Sequence, residues 1–383
     1  MNSLLSVIKE KIKTSEKKSI SFYDYMDLAL YHPEWGYYSK EKQKVGKQGD
    51  FYTNSSVGSI FGETLASVIA EMAKEIPHSN QVKMVEMGGG TGELMKHILD
   101  EWQTIFPNFE EKIAPIMIEK SPYHRSIQEE KLQSFPVTWY EDWEEFVQHE
   151  GEVKGIVYSN ELFDAFPVYL IEWDQDSWKE VRITWDDAEE CLTEIKQELE
   201  NQEVFRFLEE QKLPLPKIQH YRFEVNLDAV QWIRKLAVGL SEGYLITIDY
   251  GYANEEFYIP GRQRGTLMCY KDHLALENPL EQPGEMDITT HINFSTLIAE
   301  GEKNGLTNLG LFTQSQFLVN AGILEKLTDH QDPNPFSAVS RKNRAIRQLI
   351  YPGGMGDTFK VLVQMKGDVS SQLQRLQPKE WFK

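Results

Sequence analysis

The sequence predicts an α/β fold, an open sheet that holds a nucleoside-bearing cofactor at the carboxyl ends of its strands. Three observations lead there. A short apolar segment, Lys83 to Met87, runs into the glycine turn Gly88-Gly89-Gly90-Thr91-Gly92 and then into Glu93 to Trp102, where Leu94, Met95, Ile98 and Leu99 recur at helical spacing. A second apolar run, Ile113 to Ile118, ends on Glu119. A further strand-like run, Gly155 to Ser159, is followed at once by Asn160-Glu161.

Glycines in the turn permit positive φ angles and let the backbone approach a ligand with no Cβ in the way. The helix that follows offers unpaired N–H groups in its first turn. Gly88, Gly90 and Gly92 fit a GxGxG spacing, whereas the dinucleotide signature GxGxxG fits poorly. Alone, the stretch reads either as a cofactor site or as a tight structural turn. Glu119 strengthens the first reading, because a carboxylate at the tip of the second strand can accept both ribose hydroxyls. Glu111 precedes that strand and points to its wrong end. A dinucleotide uses similar geometry, so an NAD- or FAD-dependent oxidoreductase stands beside a methyl-donor enzyme at this point.

The remaining elements follow in chain order. Ser21 and Asp24 have capping-box character ahead of the apolar stripe Phe22, Tyr25, Met26 and Leu30, and Pro33 stops that helix, so the N-terminal region reads as a helical lid. An aromatic turn (Tyr31-His32-Pro33, Trp35-Gly36-Tyr37-Tyr38) leads to Gly49-Asp50-Phe51-Tyr52-Thr53 and a helix from Ile60 to Met72. The aromatic residues here serve to pack the lid against the sheet, or Asp50, Phe51 and Thr53 together close over the cofactor; the residues alone leave both readings open. Val137 to Tyr140, Gly155 to Ser159, Tyr244 to Asp249 and Phe359 to Gln364 read as four more strands. Between the fourth and fifth strands lies an insertion: a hairpin around Asp174 to Ser177, helical material near 188–210, a cap-like stretch at 215–226, and a helix from Val230 to Leu240. Arg262 and Arg264 offer either anion contacts or internal ion pairs. Asp287 and His291 precede a late helix that Thr290 or Asn293 is suited to cap.

Length and composition bound the rest. A chain of 383 residues holds one large domain or a core with substantial additions. Cys191 and Cys269 are the only cysteines, so neither a disulfide framework nor a cysteine-rich zinc site is expected, and no metal site is assigned. The same two distant cysteines give a reducing cytoplasm as the expected location, and residues 1–20 read as neither a secretory signal nor a transit peptide. The net charge of −20 argues against nucleic acid and anionic membrane as partners, and no run of about 18 apolar residues suggests membrane insertion. The acidic clusters 139–152 and 186–202 read as solvated faces.

Taken in order, these motifs resemble the MidA-like S-adenosylmethionine (SAM)-dependent methyltransferases, a family that includes a mitochondrial protein arginine methyltransferase assisting respiratory complex I assembly. The resemblance spans nearly the whole chain. It rests on His32-Pro33 with Gly36-Tyr37-Tyr38, Gly49 to Thr53, Glu86 to Gly92, Asn160 to Pro167, Ile248-Asp249-Tyr250-Gly251, Gly265-Thr266-Leu267 and Asp287 to His291. Thr313-Gln314, Phe317-Leu318, Gly322-Ile323, Met355-Gly356 and Phe359 to Leu362 extend it to the C-terminus. Where the family usually continues Gly-Asp-Phe-x-Thr with Ser-Pro-Glu, this chain reads Thr53-Asn54-Ser55-Ser56. Gly89 stands where the family often has proline.

The resemblance implies a class I, Rossmann-like methyltransferase core of seven strands with the last antiparallel, a helical N-terminal lid and an inserted substrate-side region. It divides the chain into residues 1–75 (lid), 76–167 (first part of the core), 168–241 (insertion) and 242–383 (second part of the core). SAM is the implied cofactor, with Glu86, Gly88, Gly90, Gly92, Glu119, Asp50 and Thr53 as its binding residues. A protein substrate, arginine first, is the implied acceptor. Glu161 is the leading catalytic candidate, with Asp164 and Asn160 assisting, and Phe51, Tyr250, His291 and Asp287 on the substrate side. A noncatalytic assembly protein on the same fold is the alternative.

Overall fold

The computed structural model describes residues 3–40, 58–76, 81–106, 108–272, 274–329 and 334–378. The chain divides into two compact units. One comprises Tyr52–Leu162, Ile233–Tyr250 and Ile298–Lys383, the other Met1–Phe51, Phe163–Trp232 and Gly251–Leu297.

The first of these carries the central sheet. Its strands are β1 (Val82–Met87), β2 (Ile113–Ile118), β3 (Thr138–Tyr140), β4 (Val153–Asn160), β5 (Leu240–Tyr252), β6 (Thr307–Thr313) and β7 (Phe359–Lys366). Their spatial order is β3-β2-β1-β4-β5-β7-β6. All pairings are parallel except those of β7, which runs antiparallel to both β5 and β6. This is the seven-stranded class I methyltransferase arrangement. Near-continuous burial along β1, β2 and β4 explains their uninterrupted apolar runs, since a parallel strand packed on both faces has no solvent side to mark with alternation. Helices Ile60–Glu75 and Glu93–Ile105 pack together, with Trp102 fully buried and its Nε1 donating to Ala66 O at 2.8 Å.

Strand β6 is absent from the sequence reading. Thr307-Asn308-Leu309-Gly310-Leu311 alternates weakly, and a register shift between Asn308 and Gly310 breaks the pattern a strand would show. Its place is fixed by pairing with β7, a tertiary cause invisible locally.

In the other unit, helices Ser3–Thr14 and Phe22–Tyr31 bury Leu4, Ile8, Ile12, Phe22, Tyr25, Met26 and Leu30 against Val168, Leu170, Val181 and Ile183. Those last four lie in or beside strands of an antiparallel sheet containing Tyr169–Asp174, Ser177–Asp186, Cys191–Glu198, Arg222–Val225 and the short Ile20–Ser21. Residues placed by sequence in the lid and in the insertion therefore share one apolar core. The Ser21 cap forms, accepting from Asp24 N at 2.9 Å, but the Asp24 carboxylate accepts from Ser21 Oγ and Lys11 Nζ in place of completing a capping box. The hairpin at Asp174 to Ser177 is present. The helical expectation for 188–210 needs correction: Cys191–Glu198 is a strand paired along Ser177–Asp186, and only Gln202–Gln211 is helical. Glu, Lys and Gln favour a helix there, and ladder pairing overrides that preference.

Candidate active site

The glycine turn is built by a hairpin of hydrogen bonds at the end of β1. Gly88 N donates to Ile118 O of β2 at 2.9 Å, and Gly92 N donates to Gly89 O at 2.8 Å. Gly90 and Gly92 have φ of +52° and +73°, a region L side chains enter at a cost. Around Gly90 an added Cβ would meet nothing within 4 Å among the described residues, so against them the backbone there faces open space. Immediately before the turn, Glu86 is buried, and its Oε2 accepts from Tyr158 OH at 3.3 Å. Burial pushes its carboxyl up to about 8, with the neighbouring Glu119 charge adding to the rise and Tyr158 opposing it.

Glu119, at the tip of β2, is almost fully buried. Its Oε1 accepts from Ser121 N at 2.8 Å and its Oε2 from Gln128 Nε2 at 3.1 Å. Gln128 lies in helix Pro122–Lys131, is fully buried, and donates also to Gly90 O at 2.8 Å. Its Oε1 accepts from Trp139 Nε1 on β3 at 3.1 Å. An ion pair between Lys131 and Glu93 ties this helix to the one that follows the turn. Sequence reasoning missed Gln128 because glutamine carries no motif. The signal available was its position four residues before the fully buried Leu132, which puts a polar group on the helix's inward face.

At the end of β4, Glu161 adopts φ of +54°, rare for a residue with a side chain, and its N–H donates to Ile248 O of β5 at 2.9 Å. Asn160 Nδ2 donates to Glu161 Oε1 at 2.9 Å, and Asn160 Oδ1 is buried with no hydrogen-bond partner among the described residues. Leu162 packs on Gly88: a Cβ there would lie 2.8 Å from Leu162 Cδ1. Within this unit the structure thus brings Glu86, Gly88, Gly90, Gly92, Glu119, Asn160 and Glu161 to the carboxyl ends of adjacent strands. Tyr250 is half-buried, its ring 3.9 Å from that of Phe359.

Asp164, Asp287 and His291 belong to the other unit. Asp164 is buried, and its carbonyl accepts from Thr290 N at 2.9 Å. Asp287 is buried and accepts from Tyr38 OH at 2.8 Å. Burial, with Arg262 nearby, pushes His291 down to about 4, so it is neutral near pH 7. Arg262 lies 3.6 Å from the ring of Tyr252 and donates to Glu256 O, an internal role for that arginine. Asn293, not Thr290, caps the late helix, accepting from Thr296 N at 3.1 Å. Asp50, Phe51 and Thr53, with the departure at Asn54-Ser55-Ser56, lie outside the described residues.

The donor set suits an adenosyl cofactor: open space over a glycine backbone, a buried carboxylate at the next strand tip, and an orphan amide oxygen at the third. Fold and site together define a class I SAM-dependent methyltransferase. Residues 64–312 match the model of a family described as "Putative S-adenosyl-L-methionine-dependent methyltransferase". The chain belongs to that family, its MidA-like members included, and SAM is its cofactor. It is 27% identical to the Danio rerio protein arginine methyltransferase NDUFAF7, mitochondrial, over 89% of this chain and 82% of that one. The Homo sapiens protein of the same name is 25% identical over 91% and 80%. A crystal structure of a Burkholderia thailandensis superfamily member bound to S-adenosyl-homocysteine has a TM-score of 0.86 at 28% identity, covering 97% of this chain and 94% of that chain. A native structure from the same organism gives 0.83.

Family membership sets aside the dinucleotide oxidoreductase. It also corrects the cytoplasmic expectation, since the curated relatives matching most of this chain carry mitochondrial names. Two distant cysteines do not discriminate among compartments. Among the described residues no helix is long and apolar enough to cross a membrane.

Proposed function

We propose that this methyltransferase modifies a protein substrate at an arginine side chain, with Glu161 as the residue that orients the acceptor. The observation that carries the reading is the left-handed backbone of Glu161 at the end of β4, with Asn160 donating to its carboxylate. Strain at a strand's carboxyl end is retained where a side chain must be aimed, and this one neighbours the glycine turn through Leu162. The names of relatives at 25–27% identity support arginine as the acceptor.

In this reading Gly88, Gly90 and Gly92 admit the cofactor to the backbone, Glu119 accepts the ribose hydroxyls, and Asn160 Oδ1 takes a donor from cofactor or acceptor. Glu86 supports the turn from beneath. Bound SAM supplies a methyl group activated by its sulfonium. Glu161 accepts paired hydrogen bonds from a planar guanidinium, which fixes the attacking nitrogen and favours its electron density. The same carboxylate takes up the proton that the nitrogen releases. Asp164 remains a proposal as a catalytic assistant, Phe51, Tyr250, Asp287 and His291 remain substrate-side proposals, and Asp50 and Thr53 remain proposed cofactor contacts.

The test combines calorimetric titration with S-adenosylhomocysteine and transfer of labelled methyl from SAM to cell proteins, followed by mass spectrometry of the acceptor. Wild type is expected to yield methylarginine, and Glu161→Gln to bind the product normally while losing transfer by roughly a hundredfold or more. Unchanged turnover in Glu161→Gln would remove its role. Methylation of another residue type would overturn the acceptor, and tight binding with no transfer to any protein would favour an assembly role.

A further inference from the structure

We infer that Gln128 is a positioning residue of the cofactor site, holding the carboxylate of Glu119 and the carbonyl of Gly90 in one fixed register. This rests on the reading of Glu119 as the ribose-binding carboxylate. A carboxamide is the neutral planar group that offers two N–H donors and an acceptor together. Here Nε2 donates to Gly90 O at 2.8 Å and to Glu119 Oε2 at 3.1 Å. The third contact decides the amide's orientation. An indole N–H only donates, so Trp139 Nε1, 3.1 Å from Oε1, requires an oxygen there and turns the NH2 toward turn and carboxylate.

The side chain is also in steric contact with the turn. A Cβ on Gly92 would come within 3.2 Å of Gln128 Cγ, so the backbone that begins the helix lies directly on this residue. Glu119 is thus held from two points on one helix, Ser121 N at its N-cap and Gln128 two turns further on. Gly90 and Glu119 come from the ends of different strands, and Gln128 bonds to both. Moving either would move the other, so the distance between the glycine backbone and the carboxylate is set before any cofactor arrives. Such preorganisation appears as affinity, because it lowers the ordering cost at binding.

The full-length protein is titrated with S-adenosylhomocysteine and with its 2′-deoxyribose analogue, in wild type, Gln128→Met, Glu119→Ala and the double variant. Gln128→Met keeps the volume and removes the donors. It is expected to weaken S-adenosylhomocysteine roughly tenfold and to narrow the preference over the deoxy analogue. In the Glu119→Ala background it should cost little more, because the pair acts as a unit. Unchanged affinity in Gln128→Met, or losses that simply add, would overturn the inference while leaving the ribose reading intact. Glu119→Ala binding as tightly as wild type would overturn that reading and the inference with it. Should Gln128→Met not fold, Trp139→Phe serves: it removes the lock on the amide at a half-buried position, and the same narrowed preference is expected. A Trp139→Phe protein with wild-type preference would then overturn the inference.

Discussion

Glu86 places a titratable group beneath the glycine turn, and its environment makes stability depend on pH. Its carboxyl is raised from 4.5 to about 8 by burial and by the Glu119 charge, with Tyr158 opposing. The folded state therefore holds the proton more tightly than the unfolded chain. That contribution is fully present below about pH 4.5 and is lost as pH rises through about 8. Unfolding free energies from denaturant titrations across that window should fall for wild type, by on the order of a few kcal/mol, and stay flatter for Glu86→Gln. Parallel curves for the two proteins would refute the buried-acid account. At Glu119 the prediction concerns binding. Glu119→Ala should leave the circular dichroism spectrum unchanged and weaken S-adenosylhomocysteine by roughly ten- to a hundredfold.

The turn and the helix after it form the element on which the site depends. Gly92→Ala forces a side chain into φ of +73° and against Gln128 Cγ, so both backbone and packing resist it. The expected result is a stability loss of about 1–3 kcal/mol with weakened cofactor binding, read by thermal denaturation with and without S-adenosylhomocysteine; a variant as stable as wild type would contradict the strain. At this scale the sequence was informative wherever the signal is local. The strand, turn and helix at Val82 to Ile105 are contiguous, and Glu119 follows by one strand, so spacing alone located them. Glu161 stands out in the sequence because it follows a buried strand, but its left-handed backbone is not readable there, since glutamate carries no propensity for it. Strands β6 and Cys191–Glu198 escaped because pairing partners far along the chain determine them.

At the scale of the molecule, each unit has its own apolar core, and neither is contiguous in sequence. Hydrophobic periodicity reports each segment's buried face but not which distant segment covers it. For that reason residues 3–31 and 169–186 were read as separate regions although they bury one another. Removing residues 1–31 should strip protection from amide exchange in Tyr169–Asp174 and Ser177–Asp186 while leaving β1 and β4 protected, as measured by hydrogen–deuterium exchange mass spectrometry. Uniform loss across both cores, or no loss in the hairpin, would contradict this division. The shared core also has a consequence during synthesis. Leu4, Ile8, Phe22, Met26 and Leu30 emerge from the ribosome well before the hairpin that covers them. With roughly 140 residues still to be translated at about 5–20 residues per second, that apolar surface waits on the order of ten seconds without its partner. The nascent chain should therefore depend on holding chaperones through that interval, and codon choices that slow residues 32–168 should lower the soluble yield.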